Sequence, residues 1–313
     1  MSVDVVQAFA NITRFADDFL YVLLDPLAGG GKDHPLDPGA LAERLGEAST
    51  TRLPHPGFAH ASDAAPTLVT LAAPGAAPDA ALIGLTHACA TDDEHYRKRY
   101  VCGWLASPLP PDTLASHLIS LCEAAQTTLD GSFTPLYEPP RLELWAAALP
   151  SGLATHLWPI RHWLYPVSWG GFALFSGSPG TPADLPVAAR ETQSESLLVR
   201  DVLAAWRQSL HTPMSYAPWR WRGETLLPPQ AAARAFRMIR DARRLGLHSS
   251  EDIIVLALHR VTVHPDLPDN ERVCADIARA AKGEARLQTL FDAYDDAAWR
   301  YVASLLPHAK DYP

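Results

Sequence analysis

Gly29-Gly30-Gly31-Lys32, directly after an apolar run, is the stretch of this chain closest to phosphate chemistry. A phosphate-cradling loop reads G-x-x-x-x-G-K-[ST], because backbone N–H groups wrap the phosphates and a hydroxyl meets magnesium. Counting back from Lys32 puts Pro26 at the first glycine, and Asp33 replaces the hydroxyl with a charge that repels phosphate. The segment therefore reads as a strand-exit loop. His55, His60, His156 and His162 have neither the i, i+4 spacing nor the cysteines of a zinc site. Asp92-Asp93-Glu94-His95 offers oxygens to a hard cation but lacks the glycine and distant glutamate of a calcium loop. A solvated helix start accounts for it equally well. Ser176 and Ser178 lie among glycines, yet Pro179 breaks the G-x-S-x-G order. Cys122 falls on an apolar helix face, one turn after His117, and reads as a small core hydrophobe. His117 reads as packed or capping. Glu138 and Glu143 are too close in sequence to imply paired-carboxylate chemistry. Spacing assigns no catalytic residue, no metal ligand and no cofactor site, so a non-enzymatic protein without cofactor is expected.

The elements that hold these residues alternate between strand-like and helix-like up to about residue 176. Strands are expected near 19–24, 67–72, 81–87, 99–106, 133–137 and 171–176, and helices near 38–48, 111–126 and 139–149. Tyr100–Leu105 is a buried run, and Pro110-Pro111-Asp112 opens a helix with Leu114, Leu118, Leu121 and Cys122 inward. Asp130-Gly131 reads as a turn and Pro139-Pro140 as another helix start. Ser176–Pro182 alternates Gly, Ser and Pro and breaks the pattern. Helices follow it: about 191–210, one opened by Pro228-Pro229 and ended by Gly246, one capped by Ser249, and a last one from Leu287 to Leu305. The fold class read from this is an α/β N-terminal lobe (1–176, mixed sheet with flanking helices), a Gly/Pro linker (177–190) and an all-α lobe (191–313).

Nearly half of the 313 residues are apolar and about a fifth are charged, enough for a sizeable core in a soluble chain. No run approaches the ~18 apolar residues of a membrane span. The N-terminus lacks a basic region, and Cys89, Cys102, Cys122 and Cys274 form no C-x-x-C, so a cytoplasmic location with reduced thiols is expected. Residues 1–190 hold 19 acidic against 10 basic side chains, whereas 191–313 hold 16 of each. The acidic first part argues against nucleic acid as a partner, since it repels phosphates at long range.

Two surfaces suit a protein partner. Arg237, Arg240 and Arg244 share one helix face; a plain solvated face is the first account of them, and docking against an acidic partner or against the acidic N-terminal lobe is the other. Trp163 and Trp169 before the linker, with Trp219 and Trp221 after it, are the aromatic anchors that interface hot spots favour; packing between lobes is the competing account.

The order of parts resembles the adaptor family that delivers toxic effectors to the bacterial type VI secretion spike, the type VI effector chaperones (TEC or Tap type). Phe19–Leu24 closed by Asp25-Pro26 is similar to the family's opening strand. Ser107-Pro108-Leu109 and the helix with His117-Leu118 match its small-residue turn and His-Leu helix, and Tyr137-Glu138-Pro139 resembles its aromatic-Asp-Pro signature. Glu138 stands where the family usually has Asp. Pro135 and Pro140 replace flanking arginines, and Arg141 is displaced by one position. The resemblance implies a bilobed adaptor whose partners are a protein effector and the secretion spike protein. Two other readings stay open at this point: an enzyme of unrecognised type with its site between the lobes, and an immunity-like toxin-binding protein.

Overall fold

The computed structural model describes residues 4–29, 33–58, 60–92, 98–126, 133–149, 152–220 and 223–307. The chain divides into two compact units, Met1–Ser194 and Glu195–Pro313. In the first, β1 (Phe19–Leu24), β2 (Thr50–Arg52), β3 (Thr67–Ala72), β4 (Val101–Ser107), β5 (His162–Pro166) and β6 (Phe172–Ser176) form one sheet. Their order is β2-β3-β1-β4-β5-β6, and every neighbouring pair is antiparallel.

β1 and β4 are apolar on both faces because both faces are covered. Leu20, Val22, Trp104 and Ala106 share a core with Val6 of α1 (Val5–Ala8), Leu41 of α2 (Pro38–Leu45) and Leu82 and Ile83 of α3 (Ala80–Asp92). Tyr21, Leu23, Cys102 and Leu105 face the opposite core. There they meet Leu114 and Leu118 of α4 (Pro111–Ala124), Leu142 and Trp145 of α5 (Pro139–Ala148), Leu157 of α6 (Leu153–Leu157) and Ala189 of α7 (Val187–Ser194). The apolar spacing of the sequence thus becomes two layers of helices on one sheet.

The second unit is helical: α8 (Ser196–His211), α9 (Ala231–Arg244), α10 (Ser250–Thr262), α11 (Glu271–Ala281), α12 (Leu287–Phe291) and α13 (Asp296–Ser304). Val202, Ile239, Leu256, Ile277, Phe291 and Trp299 are its buried centre. Ser249 caps α10 by accepting from the Asp252 N–H, and Gly246 takes a left-handed φ of 87° just after α9. Among the described residues, no helix is long and apolar enough to cross a membrane.

Several expectations need correction. Residues 81–87 are helical, not a strand, because Leu82, Ile83, Thr86 and Ala90 recur on one helix face and bury it. No strand forms at 133–137. Turn bonds from Leu136 N–H to Thr134 O and from Glu138 N–H to Pro135 O lead the chain into α5 instead. The sheet is antiparallel throughout rather than mixed. The unit division falls after Ser194, and Leu185 and Ala189 belong to the first unit's core, so the Gly/Pro stretch does not end the sheet unit. The expected last helix is two, α12 and α13, broken where the Tyr294 ring stacks on Trp299. The Asp130-Gly131 turn lies outside the described residues.

Gly103, in the middle of β4, has φ 146°, and a Cβ there would lie 2.5 Å from Trp163 Nε1 and 2.6 Å from Leu164 O. Gly103→Ala should lower unfolding free energy by about 3 kcal/mol through backbone strain and overpacking. Gly75→Ala, at φ 73° with nothing within 4 Å, should lose only about 1 kcal/mol. Urea denaturation of both variants checks this.

His259 is buried between Phe291 and Trp299, with ring centroids 4.8 and 5.0 Å away. Burial is the main cause that pushes its pKa down to about 4. The folded form resists protonation, so its stability contribution is present above the usual 6.5 and is lost as pH falls toward 4, by roughly 3 kcal/mol. His259→Gln should flatten that part of the pH–stability curve for the full chain.

Candidate functional site

Asp25 closes β1, where its backbone N–H donates to Tyr100 O at 2.8 Å. One carboxylate oxygen, Oδ1, accepts from Leu27 N–H at 3.0 Å and caps the short turn that Pro26 starts. The side chain is 0% exposed, and such a charge demands a partner. Lys98, just ahead of β4, supplies it: Nζ lies 2.8 Å from Asp25 Oδ2 and 3.1 Å from Glu138 Oε1. Glu138 occupies the N-cap of α5, where Pro139 and Pro140 preset the first turn and the helix N-terminus favours an anion. Its other oxygen accepts from Arg141 Nε at 2.9 Å, three residues on. Two carboxylates, one ammonium and one guanidinium are thereby matched charge for charge.

Burial pushes the Asp25 carboxyl up from its ordinary value, against the pull of Lys98 and with Glu138 adding to the rise. For Lys98, burial alone would lower the ammonium pKa. The nearby Glu138 and Asp25 carboxylates outweigh it and hold the proton more tightly than usual. Tyr137 is buried beside this group, at 1% exposure, and burial raises its phenol above the normal range. The cluster suits a tie between chain segments better than proton transfer.

A second set of buried polar contacts fixes the same helix. Glu143 accepts from Ser168 N–H at 2.6 Å and from Ser168 Oγ at 2.8 Å, joining α5 to the β5–β6 hairpin. Gln193 of α7 donates to Arg141 O at 3.1 Å. Arg99, next to Lys98, donates to Ala90 O and Val167 O at 3.0 and 2.9 Å.

Asp25, Pro26, Tyr137, Glu138, Pro139 and Arg141, far apart in sequence, thus converge, and the displaced Arg141 does engage Glu138. Lys98 was not foreseen. The signal available for it was the Arg97-Lys98-Arg99 triplet set against a strand with no exposed residue. Residues 20–153 match the model of a family described as a domain of unknown function, DUF4123. The four paired charges all lie within that span. No curated protein and no solved structure matches the chain.

The remaining candidates are dispersed. His117 is half-buried, with Nε2 3.3 Å from Leu157 O at the end of α6, and burial lowers its pKa. Cys122 is in the core, where burial pushes the thiol up to about 12. Trp163 is 2% exposed and packs in the sheet core, so it offers a partner no surface. Trp169 is partly buried against the same core. In the second unit Trp219 is half-buried, with the Arg220 guanidinium 5.9 Å from its ring. Arg237, Arg240 and Arg244 are exposed on α9; Arg240 lies over the Phe236 ring at 5.8 Å and Arg244 pairs with Asp241 at 3.2 Å. Trp221, Gly30–Lys32 and Asp93–His95 lie outside the described residues. Among the described residues, no group of three His, Cys, Asp or Glu side chains is placed to hold a metal ion.

Removing Lys98 leaves the fully buried Asp25 charge without its cation. Lys98→Met should lose about 3 kcal/mol of stability at pH 7. With the cation gone, burial keeps the folded Asp25 pKa above its unfolded value, so the ionised form is what destabilises. The loss should therefore shrink as pH falls through that raised value. Lys98→Met combined with Asp25→Asn should recover part of the stability at pH 7. Urea titrations at pH 7 and pH 4.5 measure both effects.

Proposed function

We propose that the protein is a non-enzymatic adaptor that binds a type VI secretion effector in the cytosol and assists its loading onto the secretion spike. One observation carries this reading. The two segments that resemble the adaptor family's signatures, Asp25-Pro26 and Tyr137-Glu138-Pro139, are joined through Lys98 inside the span that matches DUF4123. Their charged groups are taken up by one another, and the Cys122 thiol, raised to about 12 by burial, stays protonated. Both facts favour a steric role over a chemical one. An adaptor acts by mass action: binding one state of a client stabilises that state, and a competing surface on the spike releases it.

The client surface draws on Trp219, Arg237, Arg240 and Arg244 of the second unit. An exposed arginine stripe favours an acidic segment on the client. The test is to co-express the chain with the large effector encoded nearest to it and a spike gene. Copurification as a stoichiometric complex is expected. Trp219→Ala, with an unchanged melting temperature, should weaken the complex by about thirtyfold, or ~2 kcal/mol. Failure of every neighbouring effector to copurify would sink the adaptor reading.

A further inference from the structure

β6 is an edge strand, since β5 is its sole neighbour among the described residues. The two edges of the sheet differ. β2 at the far edge has three residues and carries Arg52, which pairs with Asp63 at 3.1 Å. Short length and charge are the usual protections of an edge. β6 has five residues, Phe172-Ala173-Leu174-Phe175-Ser176, with neither charge nor proline among them.

The hairpin bonds identify which main-chain groups are free to pair. Val167 N–H donates to Gly171 O at one end, and Gly177 N–H donates to Arg161 O at the other. Antiparallel strands alternate between residues that bond inward and residues that face away. Ala173 and Phe175 therefore face β5, while Phe172, Leu174 and Ser176 turn their N–H and C=O groups outward. The same three side chains share the sheet face of His162 and Leu164. On that face Leu174 is 46% exposed, and Phe15, 54% exposed, stacks on His162 at 6.0 Å. An open main-chain row thus borders an apolar shelf.

We infer that the outer edge of β6 takes up an extended segment of a partner polypeptide as a seventh strand, apolar in its centre and flanked by basic residues. The strand supplies main-chain hydrogen bonds and one apolar side chain against Leu174 and Phe15, which is how strand addition gains affinity. Charge selects the flanks. Residues 1–194 hold 20 acidic against 10 basic side chains, a field that draws a basic-flanked strand. The same field opposes pairing with a second acidic copy of this unit. The inference depends on the edge alone and not on the adaptor reading, so peptide binding and effector copurification can fail independently.

The probe is a fluorescein-labelled synthetic peptide of alternating threonine and valine with lysines at both ends, titrated into the full chain and followed by anisotropy. Saturable binding is expected, with the amides of Phe172, Leu174 and Ser176 gaining protection from hydrogen exchange. Leu174→Pro removes one outward N–H and spares the bonds of Ala173 and Phe175 to β5. It should weaken binding at least tenfold. Should that variant unfold, the wild-type chain with a peptide N-methylated at alternate residues answers the same question, because such a peptide cannot complete the ladder. Equal binding of the methylated peptide, protection elsewhere than β6, or no binding overturns the inference. So does sedimentation that shows a dimer of the chain covering this edge.

Discussion

The Lys98 ammonium, held between Asp25 and Glu138, is the contact on which the first unit depends. A carboxylate removed from water is tolerable only with a close cation. Asp25 ends β1, Lys98 precedes β4 and Glu138 opens α5, so the pairing requires all three segments to arrive together. Neighbouring contacts extend the same constraint. Arg99 holds the end of α3 and the start of the β5–β6 turn, and Glu143 grips that turn from α5. α5 thereby acts as a tie-bar across one face of the sheet.

The same geometry accounts for a departure in sequence. Where the resembling family carries arginines beside its aromatic-Asp-Pro signature, this chain has Pro135 and Pro140. Pro139 and Pro140 stiffen the first turn of α5, which fixes where the third residue of that turn points. That residue is Arg141, and it reaches back to Glu138 at 2.9 Å. A glutamate, longer than aspartate by one methylene, spans Lys98 on one side and Arg141 on the other. The longer acid and the shifted base compensate each other.

Much of the fold was legible from periodicity, and the failures have definite causes. Phe19–Leu24 stood out because burial on both sides leaves an unbroken apolar run. Thr67–Ala72 stood out because its leucines and valine are β-strand-like and bounded by Pro66, and the α4 face because Leu114, Leu118, Leu121 and Cys122 recur at helical spacing. Residues 81–87 misled because the exposed side of α3 carries alanines such as Ala81 and Ala88 rather than charges, so the helix looks as apolar as a core strand. Phe133–Tyr137 has strand-like composition, but Pro135 removes a ladder donor and the local turn bonds decide. β5 was hidden in a stretch dense with tryptophan and proline, where neither period is visible. The candidate site was half legible: motif resemblance marked Asp25, Glu138 and Arg141. Lys98 was lost because a lysine in a basic triplet reads as a solvated surface until the buried carboxylates beside it are known.

The strand order sets the span that matches the family model apart from the unit of folding. The DUF4123 match ends at residue 153, whereas the sheet continues through β5 and β6 beyond it. β4, every residue of which is buried, would become an open border if the chain stopped at that point. Trp104 and Leu105, paired with Leu164 and Trp163, would lose their cross-strand cover, and Arg99 would lose Val167. The stretch that matches the family model is therefore an incomplete solid. Its missing wall comes from residues beyond the matched span, which deliver β5 and β6 to the flank of β4.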